Sequence, residues 1–225
     1  ADPDAVFAGA GAVERERDMC TVLRTELGEQ PRFVLREENA LHVDFDVISA
    51  QAGRRLVLVG NLPYQIASPL IFRFLAMRSS LRRIVIMIQR EMADRVLAPP
   101  GSRDSNALGV QVQMVCAVRR VCQVGRGAFL PPPRVDSSVI SLEPLPGTAV
   151  PLRDLDLFHD VVRAAFGRRR KTRRNALSAV FPDEAMARLG SCGVDLSRRG
   201  ETLSLAEFAA LSDALSSVPL SQRPS

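Results

Sequence analysis

The sequence lacks the usual materials of a metal or redox centre. It has two histidines, His42 and His159, and neither has the company of further histidines or cysteines at metal-ligand spacing. Both read as ordinary polar residues, and no metal is expected. The four cysteines, Cys20, Cys116, Cys122 and Cys192, include no C-x-x-C pair. That excludes a zinc-ribbon or disulfide framework and fits reduced thiols in a cytoplasmic protein. No apolar run approaches membrane-spanning length, and no signal-peptide pattern is present. A membrane partner is therefore not expected. Internal repeats and low-complexity tracts are also missing, which excludes a solenoid.

What the chain does have is a core and a basic balance. Its 225 residues are 46% hydrophobic, enough for one large domain or one domain with a smaller companion. The net charge is +5 and the pI about 9.6. Nearly all the cations are arginine, whose planar fork suits phosphates and base stacking. An anionic partner such as nucleic acid follows as an expectation.

The most informative stretch is Leu56-Val57-Leu58-Val59-Gly60-Asn61-Leu62-Pro63-Tyr64. Four apolar residues read as a buried strand. Gly60 ends the run, and a carboxamide, a rigid turn and an aromatic ring follow at once. Open α/β sheets place ligands just past the carboxyl ends of strands. Pro63 fixes its own φ and keeps Leu62 out of the helical region. This tetrapeptide resembles the one used by amino-methyltransferases acting on nucleobases. An exocyclic amine is a poor nucleophile while its lone pair is delocalised into the ring. The Asn61 side-chain oxygen and the Leu62 carbonyl are suited to accept its two hydrogens and so localise that pair. Tyr64 is suited to stack on the base, worth roughly 1–3 kcal/mol. The competing reading is a polar turn after a strand with Tyr64 as packing.

Along the chain, residues 5–13 read as a strand or its lead-in, 19–27 as a helix and 33–35 as a strand. Residues 42–54 read as a connection with one helical turn. A helix over 68–77, a strand over 83–88 and a helix over 89–97 follow the central strand. Residues 108–118 and 121–124 read as strands, as does 138–142. Alternating strands and helices predict a doubly wound α/β sheet. Beyond Pro144-Leu145-Pro146-Gly147 only helical patterns remain, over 151–166, 170–180, 183–191 and 204–215. The expected domains are therefore 1–145, a Rossmann-like sheet, and 146–225, a small all-helical domain. The residues from Val218 onward read as a loose tail.

Several separate stretches fall in one order and together resemble the ribosomal RNA adenine dimethyltransferase family. They are Val13-Glu14-Arg15-Glu16-Arg17-Asp18, Asn39-Ala40-Leu41, Asn61-Leu62-Pro63-Tyr64, Gln89-Arg90-Glu91, Phe129-Leu130-Pro131-Pro132-Pro133-Arg134-Val135-Asp136-Ser137, and Ala165 through Asn175. The resemblance implies a Rossmann-like fold that uses S-adenosylmethionine to dimethylate N6 of two adjacent adenosines. These lie near the 3′ end of small-subunit ribosomal RNA, in an immature small subunit, and the enzyme is a monomer. Glu14, with Arg15, would hold the cofactor ribose; its alternative is a solvated acid at a helix start. Asn39, with Ala40, would accept the cofactor's adenine amine; its alternative is an Asx turn. The family usually carries Asp at the position of Asn39. Asn61 would border the cofactor as well as the substrate. Phe129, held by three prolines, would stack on the base opposite Tyr64; its alternative is a plug between domains. Arg134, Arg168, Arg169, Arg170, Lys171, Arg173 and Arg174 would bind RNA phosphates; a solvated helix face is the competing reading of that run.

Two departures from the family pattern stand out. The Gly-rich loop that cradles the methionine part of the cofactor has no counterpart, because Gly9 and Gly11 come too late. The chain thus reads as a truncated copy, with weak cofactor binding and an exposed strand edge as expectations. Ser105-Asn106-Ala107-Leu108-Gly109 also differs from the family's usual loop. Two rival functions follow. One is a sister enzyme methylating a single adenine of large-subunit RNA and conferring antibiotic resistance. The other is a non-catalytic RNA-binding assembly factor of the same fold.

Overall fold

Six strands form two hydrogen-bonded groups in the computed structural model, which describes residues 9–168, 171–190 and 192–216. β1 (Ala10–Glu14) and β2 (Phe33–Glu37) pair in parallel, with Glu14 opposite Glu37. They are linked through α1 (Arg17–Leu27). This helix buries Cys20 but leaves Met19, Val22 and Leu27 exposed. The connection expected to hold one helical turn is a two-turn helix, α2 (Phe45–Ala52). Its extra length has local causes. The Asp44 side chain accepts from the N–H groups of Asp46 and Val47, and Gly53 ends the helix at φ 62°, which glycine adopts without strain.

The second group has the order β3 (Leu56–Asn61), β4 (Leu81–Gln89), β6 (Ser137–Pro144), β5 (Cys116–Val124). β3 and β4 are parallel, while β6 runs antiparallel to both neighbours. Ile84, Ile86, Ile88, Ile140 and Leu142 are fully buried on these strands. Each such side chain contributes roughly 1.5–3 kcal/mol. α3 (Ala67–Ala76) adds Leu70, Ile71, Phe74 and Leu75 to the same core. Among the described residues β3 pairs only with β4, so its other edge is open. Val57 and Val59 are 47% and 76% exposed. No residue of β3 is fully buried, which corrects the reading of residues 56–59 as a buried strand: only one face of β3 is covered.

The run from Leu108 corrects the sequence reading. Instead of a strand, Ala107–Val115 is helix α5, and β5 begins only at Cys116. Val121–Val124 belongs to that same strand, after a bulge between Arg120 and Cys122. A helix that is apolar all round carries no amphipathic period, so it cannot be told from a buried strand by pattern. The deciding features are local. Asn106 caps the helix by accepting the Gly109 N–H at 3.0 Å. Gly109 lies so close to α4 (Arg90–Leu97) that a Cβ there would come within 2.6 Å of the Arg95 carbonyl oxygen. Gly109→Ala is therefore expected to destabilise the protein by about 1–3 kcal/mol through overpacking. Denaturant unfolding measures this, and an unchanged midpoint would contradict the close packing of α4 and α5.

After β6 the described residues hold only helices: α6 (Leu155–Gly167), α7 (Arg173–Leu177), α8 (Asp183–Leu189) and α9 (Leu205–Leu215), with short turns between. α7 is shorter than the helix expected over 170–180. Asp154 caps α6 by accepting the Leu157 N–H. Ser204 and Glu207 form a reciprocal capping box at α9. Phe158 and Phe166 meet Phe208 with ring centroids 6.5 and 5.8 Å apart, joining α6 to α9. The tail expected from Val218 lies outside the described residues. Among the described residues no helix is long and apolar enough to cross a membrane.

Candidate active site

The turn after β3 is held from three sides. Asn61 is the last residue of the strand and stands opposite Met87. The Leu62 N–H donates to the Met87 carbonyl at 3.1 Å, one bond beyond β3. The Ile66 N–H donates to the Pro63 carbonyl at 3.1 Å, closing a short 3-10 turn over Tyr64–Ile66. The Leu62 side chain is buried, and a Cβ on Gly60 would sit 3.2 Å from its Cδ2. Glycine at position 60 thus leaves room for the leucine that anchors the turn. Among the described residues, no hydrogen bond is donated to the Asn61 side-chain oxygen or to the Leu62 carbonyl. Neither is engaged by another protein group, so both are open to accept from a ligand. Tyr64 keeps 40% of its surface exposed. Its hydroxyl and Ser137 Oγ share a hydrogen bond at 3.2 Å.

The loop bearing Phe129 is fastened beside this turn. Asp136 does the fastening with both carboxylate oxygens. One accepts the Arg126 N–H at 3.1 Å, and the other pairs with the Arg90 guanidinium at 3.1 Å. The Asp136 carbonyl also accepts the Arg90 N–H at 3.0 Å, at the start of α4. The loop is therefore drawn closed between Arg126 and Asp136. Phe129 is half-buried within it, while Leu130 and Arg134 are exposed. The Leu130–Pro131 peptide is cis. Arg90, Asp136 and Ser137 had no assigned role in the sequence reading, although all three lie inside quoted motifs. Their roles come from contacts across 46 and 73 positions of sequence, which no local pattern encodes.

The cofactor candidates form a second group on β1 and β2. Glu14 closes β1, and one of its carboxylate oxygens accepts the N–H groups of Arg15 and Glu16 at 2.6 and 2.9 Å. Its second oxygen has no such partner and sits on a half-buried residue, an acceptor that suits the hydroxyls of a ribose diol. Arg15 is exposed, and Ala40 is half-buried. The Asn39 side-chain oxygen accepts the Leu41 N–H at 3.0 Å, and its carbonyl accepts the His42 N–H at 2.8 Å. Asn39 thus makes an Asx turn, and the oxygen expected to face an adenine amine already serves the backbone. Asn61, Tyr64 and the Phe129 loop come together through Ser137 and Asp136. No strand pairing among the described residues ties them to Glu14 and Asn39.

The basic run divides. Arg168, Lys171 and Arg174 are exposed, while Arg169 and Arg170 lie outside the described residues. Arg173 corrects the sequence reading: it is 0% exposed and unable to meet a backbone phosphate. Its Nη2 donates to the Lys171 carbonyl at 2.8 Å, and its backbone N–H donates to the Arg198 carbonyl at 2.9 Å. Gly200 makes room for it, since a Cβ there would fall 3.1 Å from Nη1. Burial pushes the guanidinium pKa down, and neighbouring Glu201 opposes that. Arg173 therefore pins the basic turn from inside. A run of like charges gives no sign of which member points inward.

A mixed sheet carrying this turn, followed by a helical part, defines a Rossmann-like methyltransferase. Solved structures support the class. The chain is similar to a dimethyladenosine transferase from Plasmodium falciparum, with a TM-score of 0.75, 25% identity, and coverage of 90% of this chain and 80% of that one. It shares the fold of the 23S rRNA methyltransferase ErmE at a TM-score of 0.66 and 19% identity, over 92% of this chain and 82% of that one. The chain belongs to the ribosomal RNA adenine dimethylase family, whose model matches residues 8–217. Among its relatives is ribosomal RNA small subunit methyltransferase A of Pseudomonas syringae pv. tomato, 40% identical over 93% of this chain and 77% of the relative. The protein of the same name from Anaeromyxobacter sp. strain K is 44% identical over 92% of this chain and 76% of the relative.

Proposed function

We propose that the Asn61-Leu62-Pro63-Tyr64 turn presents an adenine of small-subunit ribosomal RNA for N6,N6-dimethylation. The observation that carries this reading is the pair of unengaged acceptors, the Asn61 side-chain oxygen and the Leu62 carbonyl. An unmethylated exocyclic amine has two hydrogens, and the turn offers two acceptors for them. Accepting both pulls the nitrogen toward a pyramidal geometry and frees its lone pair. The adenine leaves its stack to reach the turn, and Tyr64 and Phe129 stack on its faces. When bound, S-adenosylmethionine supplies an electrophilic methyl on a sulfonium. Glu14 with Arg15 holds the ribose side of that ligand, and Asn39 with Ala40 borders the adenine side. Asn39 must give up its Leu41 contact or share the same oxygen to do so. The Asn61 oxygen and the Leu62 carbonyl would hold the amine nitrogen toward that methyl, and the surplus amine proton would leave to water. Positioning and electrostatics supply the catalysis.

Residues 1–145 carry the chemistry in this reading and 146–225 the RNA grip. The substrate is an immature small ribosomal subunit, and the enzyme acts as a cytoplasmic monomer. Large-subunit RNA is the less favoured substrate, because the relatives at 40% identity and above carry the small-subunit name. Assaying methyl acceptance by immature small subunits against large-subunit RNA tests the choice. Preference for the small subunit is expected, and preference for the large would overturn it.

Neutralising Arg168, Lys171 and Arg174 is expected to weaken RNA binding and flatten its salt dependence. Each lost phosphate contact should lower the log–log slope by roughly 0.7–0.9. Arg173→Met should instead reduce folding stability, because a buried side chain is replaced. Binding titrations over a range of salt concentrations check the triple variant, and an unchanged slope would return these residues to a solvated surface.

A further inference from the structure

We infer that Ser137 is a positioning residue for the known reaction, holding the Tyr64 ring in the orientation that receives the target base. The inference rests on the stacking role proposed for Tyr64. Ser137 is 1% exposed and begins β6, where it pairs with Gln89 of β4 on one side and Val124 of β5 on the other. Its backbone is therefore fixed on an inner strand, paired on both sides, at the end of the sheet that faces the Tyr64 turn. Its hydroxyl lies 3.2 Å from the Tyr64 hydroxyl, across 73 positions of sequence. Two other serines of the same strand, Ser138 and Ser141, bury hydroxyls that find no partner. A buried hydroxyl on β6 thus does not acquire a partner merely by being there. Tyr64, by contrast, stands on a short 3-10 turn with much of its ring in solvent. Among the described residues its hydroxyl makes the one side-chain hydrogen bond of the tyrosine.

The neighbouring residue gives the arrangement its sense. Asp136 closes the loop of Phe129 through Arg126 and Arg90. The dipeptide Asp136-Ser137 therefore fixes both stacking surfaces from one point, the loop by a carboxylate and the tyrosine by a hydroxyl. A ring anchored before the base arrives loses less rotamer freedom on stacking, so the anchored enzyme binds the extruded base at lower entropic cost.

The chain has one tyrosine and no tryptophan, so its ultraviolet fluorescence reports on Tyr64 alone. Ser137→Ala is expected to lower the Tyr64 anisotropy, raise its quenching by acrylamide and slow methyl transfer roughly three- to tenfold, with the melting temperature held. Ser137→Thr keeps a hydroxyl and should restore both signals. Tyr64→Phe should slow transfer as much as Ser137→Ala, and the double variant should be no slower than either. Multiplying effects in the double variant, or Tyr64 fluorescence and transfer unchanged in Ser137→Ala, would overturn the inference. Tyr64→Ala separates it from the reading beneath. If Tyr64→Ala is impaired while Tyr64→Phe and Ser137→Ala match the wild type, stacking stands and the tether falls. If Tyr64→Ala transfers methyl normally, the stacking role itself falls and the inference with it.

Discussion

Asn61→Ala is expected to slow methyl transfer by about 10²–10³-fold, the usual loss when one preorganised polar contact to a reacting group is removed. RNA affinity should hardly change, because the phosphate contacts lie elsewhere. The asymmetry follows from where Asn61 stands. It ends β3 and its backbone is fixed opposite Met87, so alanine removes the acceptor without moving the turn. The Leu62 carbonyl remains, but one acceptor leaves one amine hydrogen unheld and the lone pair still conjugated. Asn61→Asp keeps an acceptor and should retain more activity than alanine. Single-turnover rates with matched RNA binding decide the matter. An alanine variant keeping more than about a tenth of the rate has lost too little for this role.

The second large effect concerns the cofactor. These 225 residues are expected to bind S-adenosylmethionine more weakly than 1 μM, that is, with less than about 8 kcal/mol. Glu14 and Asn39 sit on the β1–β2 pair, and Asn61 sits on β3 of the other group. No ladder among the described residues joins the two groups; the packing of Val13, Ala40 and Val43 against the shared core and the Arg73–Val43 hydrogen bond connect them instead, so the cleft between them is built from side-chain contacts alone. Asn39 also spends its side-chain oxygen on the Leu41 N–H. The open edge of β3, with Val57 and Val59 exposed, adds freedom on the same side. Isothermal titration of this chain measures the affinity. Micromolar or tighter binding would mean that the two strand groups form a ready-made cleft.

What the sequence disclosed follows from the range of the forces involved. β3 and its turn were legible because a β-branched run, a glycine and a proline act locally. α6 and α9 were legible because their apolar faces recur at helical spacing. α5 was not, since Val110, Val112, Met114 and Val115 are buried on several sides and leave no period. The Asn106 cap and the close approach of Gly109 to the Arg95 carbonyl mark the helix instead. Arg173 was misread for a related reason: its neighbours are cations, and its burial depends on Gly200 and the Arg198 carbonyl. In the site, Asn61, Leu62 and Tyr64 were marked by their motif. Ser137, which holds Tyr64, and Asp136 and Arg90, which hold the Phe129 loop, act through distant contacts and emerge only when β4, β5 and β6 are brought together.

The most direct measurement identifies the atom that receives the methyl. Small-subunit ribosomal RNA is incubated with the protein and S-adenosylmethionine in large excess over its expected weak affinity, then digested and analysed nucleoside by nucleoside by mass spectrometry. The expected product is N6,N6-dimethyladenosine at two adjacent positions near the 3′ end. Only an exocyclic amine offers two hydrogens to the Asn61 oxygen and the Leu62 carbonyl. A methyl on a ring nitrogen or a ribose oxygen would contradict the role given to those two acceptors.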